Sequence, residues 1–238
     1  MASPTGADAS PRFYGRRKSR RLRDGRQRLV DDVLPGLRIQ TPEPGGLLDP
    51  RALFAPAIAD VWMEIGFGAG EHLLAQAQRH PTIGFIGCEP YLNGVAALLS
   101  AMENADLGNI RIFPDDARLL LPALAPASIG RLFILFPDPW PKAKHHNRRL
   151  VNPATLRAFA RILRPGGELR VASDHDGYVR WILDYATRDG GFLWLAQRPA
   201  DWRQRPADSP ATRYQEKAMG RGQSCATLRF ERRHMIAL

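Results

Sequence analysis

Val61-Trp62-Met63-Glu64-Ile65-Gly66-Phe67-Gly68-Ala69-Gly70-Glu71 is the stretch on which the fold of this chain turns. An apolar run of strand length carries Glu64 near its end, a GxGxG turn follows at once, and a helical stretch opens on Glu71. Glycine tolerates positive φ and lets the main chain approach a ligand closely, so Gly66, Gly68 and Gly70 mark a strand-to-helix turn beside a binding site. The spacing is not GxGxxG, the pattern that seats a pyrophosphate on a helix N-terminus. Glu64 and Glu71 instead bracket the turn with negative charge, which suits a ligand bearing cations.

Beyond this stretch the same rhythm repeats. Short apolar runs at 61–65, 83–88, 110–113, 132–136, 168–172, 192–196 and 226–230 read as strands. Stretches of helical length at 71–79, 91–104, 117–124, 153–163 and 178–188 lie between most of them. Alternation of this kind implies an α/β, Rossmann-like fold: a mostly parallel seven-stranded sheet with helices on both faces. The last two runs are joined by a long connection in which no helix is expected, so they are expected to form an antiparallel pair at one edge.

The chain has 238 residues, 44% of them hydrophobic, enough for one large domain with a full core. Its net charge of +10 is unevenly spread. Residues 1–30 hold eight Arg, Lys18 and two Asp, for a net +7, and residues 196–238 carry a net +5. Basic ends on a nearly neutral middle fit a polyanionic partner, because Lys and Arg near phosphates displace condensed counterions. Residues 1–28 are expected to be a basic, disordered tail, 29–60 a wrapping segment rich in Pro and Gly, and 61–238 the catalytic domain. Cys88 and Cys225 are too few for a disulfide framework. No apolar run approaches the roughly 20 residues of a membrane span, and residues 1–30 lack the apolar stretch of a signal peptide. These features point to a cytoplasmic protein with no membrane partner; nothing calls for an obligate protein partner.

In an open α/β sheet, ligands bind beyond the carboxyl ends of the strands, and acidic residues stand at those ends here. Glu64 closes the first strand, Glu89 follows the second and can accept from ribose hydroxyls, and Asp115 and Asp116 follow the third, where a carboxylate can receive an adenine amino group. A nucleoside cofactor with cationic groups and no phosphate, S-adenosylmethionine, fits this series. After the fourth strand comes Phe136-Pro137-Asp138-Pro139-Trp140-Pro141, a loop stiffened by three prolines that supplies a carboxylate and an aromatic face. The basic run Lys142-Ala143-Lys144-His145-His146-Asn147-Arg148-Arg149 continues it and suits phosphates. Adjacent histidines seldom converge on one ion, so no metal site is expected.

EIGFGAGEHL (64–73), FPDPWPKAKHHNRR (136–149), SDHDGY (173–178) and TRYQEKA (212–218), in that order, resemble the bacterial tRNA (guanine-N7)-methyltransferases over about residues 60–235. The resemblance implies the class I methyltransferase fold, S-adenosylmethionine as cofactor, and the variable-loop guanine of tRNA as substrate. By it, Glu64, Glu89 and Asp116 would contact the cofactor, and Asp138 would act between cofactor and guanine. Lys142, Asp174, Thr212, Arg213, Tyr214 and Gln215 would contact the substrate, and Lys144, His145, His146, Asn147, Arg148 and Arg149 the RNA. The family commonly has Glu where this chain has Gln215, with Glu216 next to it, so that role falls to an amide or shifts by one residue.

Two other classes share part of the pattern. A nicotinamide-dependent oxidoreductase would have GxGxxG and no basic loop after the fourth strand. A non-catalytic RNA-binding module would explain the charge but not the ordered carboxylates. Ser173, Asp174 and His175 do not make a hydrolase triad by adjacency, since a triad converges in space. Trp181, Trp194 and Trp202 are expected to pack.

Overall fold

The computed structural model describes residues 13–15, 17, 21–103, 105, 107–188, 190–210, 220 and 224–234. Strands β1 (Asp60–Ile65), β2 (Ile83–Cys88), β3 (Ile110–Phe113), β4 (Ile129–Leu135), β5 (Leu163–Ser173), β6 (Phe192–Trp194) and β7 (Ala226–Arg232) form one sheet in the order β3-β2-β1-β4-β5-β7-β6. The first five are parallel, so all their carboxyl ends meet at one edge of the molecule. β7 runs antiparallel between β5 and β6 and enters the sheet at that same edge, where Ala226 pairs with Ser173.

Both faces of the sheet are covered, as continuous apolar strands require. The helices are α1 (Asp24–Asp32), α2 (Leu34–Leu37), α3 (Glu71–Arg79), α4 (Leu92–Met102), α5 (Ala117–Leu120), α6 (Pro153–Ile162), α7 (Asp176–Arg188) and α8 (Ala200–Arg203). One core joins Leu34 of α2, Leu73 and Ala77 of α3 and Val95, Leu98 and Leu99 of α4 to Phe85, Ile110 and Ile112. The other joins α5, α6 and α7 to Val61, Met63, Ile86, Leu132, Ile134, Leu169 and Val171. The start of α6 is written locally: Asn152 accepts from the N–H groups of Ala154 and Thr155, Thr155 returns a bond to the Asn152 N–H, and Pro153 needs no partner at the first helical position.

Several expected boundaries shift for identifiable reasons. α1 crosses the division expected at residue 28. It buries no residue of its own, so its polar sequence shows little helical period, and it is held through Leu29 and Val30 against the α3–α4 core. The connection from β6 to β7, expected to lack helix, contains the single turn of α8. β4 stops at Leu135 because Phe136 takes φ +52°. β5 begins at Leu163, five residues before the expected start, with a register shift opposite Gly130. Between α1 and β1 the chain makes two isolated bridges to the fold, Arg38 to Ile112 and Leu48 to Leu124. Among the described residues no helix is long and apolar enough to cross a membrane.

Candidate active site

A cavity of about 260 Å³ opens at the carboxyl edge of β1, β2 and β4. Its floor includes Ile65, Gly66, Cys88 and Leu135, and Glu89, Asp116, Asp138, Trp140 and Arg148 stand around it.

The glycine turn is shaped by what its neighbours leave room for. Gly66, Gly68 and Gly70 all have positive φ. A methyl group on Gly70 would lie 2.5 Å from Leu98 of α4, and one on Gly94, also in α4, would lie 2.3 Å from the Gly68 carbonyl oxygen. Gly94 thus lets α4 support the turn from behind. At Gly66 and Gly68 an added methyl would meet nothing within 4 Å, leaving bare main chain open to a ligand.

Glu89 braces the turn from the other side. Its Oε2 accepts from Gly68 N at 2.8 Å and its Oε1 from Tyr91 N at 2.9 Å. Burial pushes its carboxyl above the usual range, the two N–H bonds pull it back, and the charges of Glu64 and Asp138 raise it further. Each oxygen retains a lone pair for a hydroxyl. Asp116 caps α5, accepting from Arg118 N at 3.0 Å and pairing with its guanidinium. Asp115 pairs with Arg17 at 2.7 Å. Cys88, buried in the cavity floor, has a thiol raised well above its ordinary value by burial and by Asp116 and Glu89. Glu64 does not line the cavity; it is buried, 2.7 Å from His72 Nδ1. Among the lining residues, the open main chain at Gly66 and carboxylates with spare acceptors fit a nucleoside ligand carrying hydroxyls and cations.

The β4 side is built on strain. Phe136 and Trp140 have φ +52° and +42°, uncommon for non-glycine residues and worth about 1–3 kcal/mol each. Asp138 lies between them, exposed, and accepts no hydrogen bond from any described residue. Arg149 locks this loop. Buried to 3% exposure, it donates from Nε to the Pro139 carbonyl at 2.8 Å and lies over the rings of Tyr178 and Trp181.

The basic run therefore divides. Arg149, expected at the RNA, faces inward because its stem and guanidinium find aromatic and carbonyl partners there. His146 packs on Trp181 and His145 on Trp140, so the two rings diverge. Lys142, Lys144 and Asn147 are exposed. Desolvation, and then the charges of Arg148, Lys144 and Lys142, lower the His145 pKa. Asp174 stands at the end of β5, on the same edge but outside the cavity lining, near Cys225, whose thiol burial and then the Asp174 charge raise. Thr212, Arg213, Tyr214 and Gln215 lie outside the described residues.

A family model described as "Putative methyltransferase" matches residues 59–228. The chain is 52% identical to the tRNA (guanine-N(7)-)-methyltransferase of Rhodospirillum rubrum over 95% of its length and 89% of that protein. It is 43% identical to the one of Rhizobium meliloti, over 98% and 100%. The chain belongs to the bacterial tRNA (guanine-N7)-methyltransferases. Among solved structures it is similar to the 16S rRNA methyltransferase KamB, with a TM-score of 0.52 and 15% identity over 79% of this chain and 99% of that one, a likeness of fold.

Three features of this methyltransferase's site are absent from the sequence reading. Phe13, Tyr14 and Gly15, assigned to a disordered tail, line the cavity. Arg148 lies over the rings of both Tyr14 and Trp140, 4.6 and 5.0 Å from their centroids, and ties the segment to the loop. Phe13 and Tyr14 are the only aromatic residues in the first 30, which was the available signal. His72, the partner of Glu64, gave no signal beyond its place one turn from the glycines.

Proposed function

We propose that this protein binds S-adenosylmethionine in the cavity and methylates N7 of the variable-loop guanine of tRNA, in the cytoplasm. The observation that carries the reading is an exposed carboxylate, Asp138, that accepts no hydrogen bond from any described residue and stands at the mouth of a cavity whose other acids are already engaged, in a chain whose relatives carry that activity in their names. When bound, the cofactor supplies a methyl group on a cationic sulfur.

Glu89 would receive ribose hydroxyls on the lone pairs left over from Gly68 and Tyr91. Glu64 would face the ligand's cationic end. Guanine N7 has a lone pair and no proton, so no residue has to act as a base there. The protein's task is orientation. Asp138 would accept from the donor edge of the guanine and offset the positive charge the purine gains, an electrostatic role. Extruding the nucleotide from folded tRNA costs a few kcal/mol, which phosphate contacts from Lys142 and Lys144 would partly offset. Asp174 and the segment Thr212–Gln215 would complete the substrate side.

The test is to incubate the protein with methyl-labelled S-adenosylmethionine and unmodified tRNA transcripts, digest the RNA and identify the labelled nucleoside. The expected product is 7-methylguanosine mapping to the variable loop. Label in another nucleoside, or none with cofactor bound, would overturn the reading.

A further inference from the structure

His72 is a buried titratable side chain with no part in the chemistry above, yet every polar atom around it is arranged. Glu64 ends β1 and His72 is the second residue of α3; the glycine turn brings the chain back so that the two side chains meet. Glu64 Oε2 and His72 Nδ1 are 2.7 Å apart, with the residues 3% and 2% exposed. The ring packs edge-to-face against Phe133, centroids 4.8 Å apart. His72 Nε2 lies 3.3 Å from Gln76 Nε2, one helical turn on.

The orientation of the Gln76 amide is fixed by a third group. Its Nε2 donates to the Asp208 carbonyl at 2.9 Å; the flipped amide would set oxygen against oxygen. The second hydrogen of that NH2 therefore faces His72 Nε2, which must accept. The single ring proton is left on Nδ1, where it is donated to Glu64. Gln76 Oε1 is buried with no partner, so this side chain serves through its donors. The carbonyl at the end of the chain is anchored in turn: the Asp208 carboxylate takes two bonds of 2.9 Å from Arg170 and one of 3.1 Å from Arg131.

We propose that His72 is a positioning residue for the cofactor: its Nδ1–H holds one oxygen of Glu64 so that the other is presented to the ligand's cationic group, with Gln76 and the Asp208 carbonyl fixing the tautomer. Glu64 Oε1 is suited to this, since it bonds to no described residue and is not among the sealed, unpartnered atoms of the interior. The neighbouring Ile65 and Gly66 line the cavity. The inference rests on the reading of Glu64 as a cofactor contact.

Calorimetric titration of the full chain with S-adenosylmethionine, without RNA, tests both levels. Glu64→Gln should weaken binding about tenfold or more, the scale of a hydrogen bond to a charged group. His72→Phe keeps the ring against Phe133 and removes the donor; it should weaken binding to a similar degree and raise KM for the cofactor more than it lowers kcat. His72→Asn places an amide N–H where Nδ1 stood and should restore binding to within about threefold. Nitrogen-15 spectra of the histidine-labelled wild type should show a protected Nδ1–H and a bare Nε2. If Glu64→Gln binds normally, the reading of Glu64 fails. If Glu64→Gln weakens binding while His72→Phe does not, or Asn fails as badly as Phe, the inference about His72 is overturned. An Nε2–H tautomer in the wild type overturns it independently, even where the Phe variant does not fold.

Discussion

At the β1–β2 end the acidic groups are already engaged: Glu89 holds the main-chain N–H groups of Gly68 and Tyr91, Asp116 caps α5, and Glu64, buried behind the cavity lining, is tied to His72. At the β4 end, Asp138 accepts nothing from any described residue, and the loop around it, strained at Phe136 and Trp140, is held by Arg149 from beneath. The first arrangement suits a ligand that is always the same and rewards a surface organised in advance. The second suits a macromolecular substrate whose base must arrive from elsewhere, since a carboxylate with both oxygens open can accept from two donors on one base edge at once. The two ends should therefore respond to substitution separately.

The largest expected effect is on turnover at the β4 end. Asp138→Asn should lower methyl incorporation into tRNA by about 100-fold or more; near-normal turnover would remove the distinction between the ends. Arg149→Met should come next. The Pro139 carbonyl would lose its donor and the strained loop its support, lowering unfolding stability by about 2 kcal/mol in a urea titration, with turnover reduced and cofactor affinity retained. At the opposite end, Gly94→Ala would press a methyl group on the Gly68 carbonyl oxygen. Overpacking on this scale should weaken cofactor binding about tenfold, read by calorimetry, with the fold intact.

A smaller effect separates the inward and outward parts of the basic run. Replacing Lys142 and Lys144 together with Ala should reduce the slope of log affinity for tRNA against log salt by about 1–2. Arg149→Met should leave that slope unchanged, because its charge is not at the surface.

The smallest concerns acid stability, away from the cavity. Arg170 holds the Asp208 carboxyl down at about 2, below the value of about 3.9 in an unfolded chain. Between those values the unfolded state binds the extra proton, so this contribution is present above about pH 4 and is lost as pH falls toward 2. Asp208→Asn should flatten that limb of the urea midpoint against pH. The carboxylate is 44% exposed, so solvent screens much of the effect.

The β1–β2 end was largely legible in the sequence, because strand, glycine turn and acid follow one another within a few residues and local chemistry governs all three. The bounds of β2, β3 and α3 coincide with the expected ones. The place of Asp138 beside the cavity was legible for the same reason: proline fixes its loop. What escaped the sequence depends on contacts distant along the chain. Arg149 reads as one more surface cation until α7 supplies Tyr178 and Trp181. Tyr14 reads as part of a polar tail until the β4 loop supplies Trp140 and Arg148. The Glu64–His72–Gln76 series ends on Asp208, 132 residues beyond Gln76. α1 was missed because a helix that buries none of its residues writes no apolar period.

The separation of the two ends is tested most directly by the affinity of Asp138→Asn for S-adenosylmethionine in the absence of RNA, measured beside its turnover. The expected result is binding within about twofold of wild type in a protein that has lost its turnover. A loss of affinity that tracks the loss of turnover would contradict it, and would make Asp138 part of the cofactor site instead of the acceptor kept free for the base.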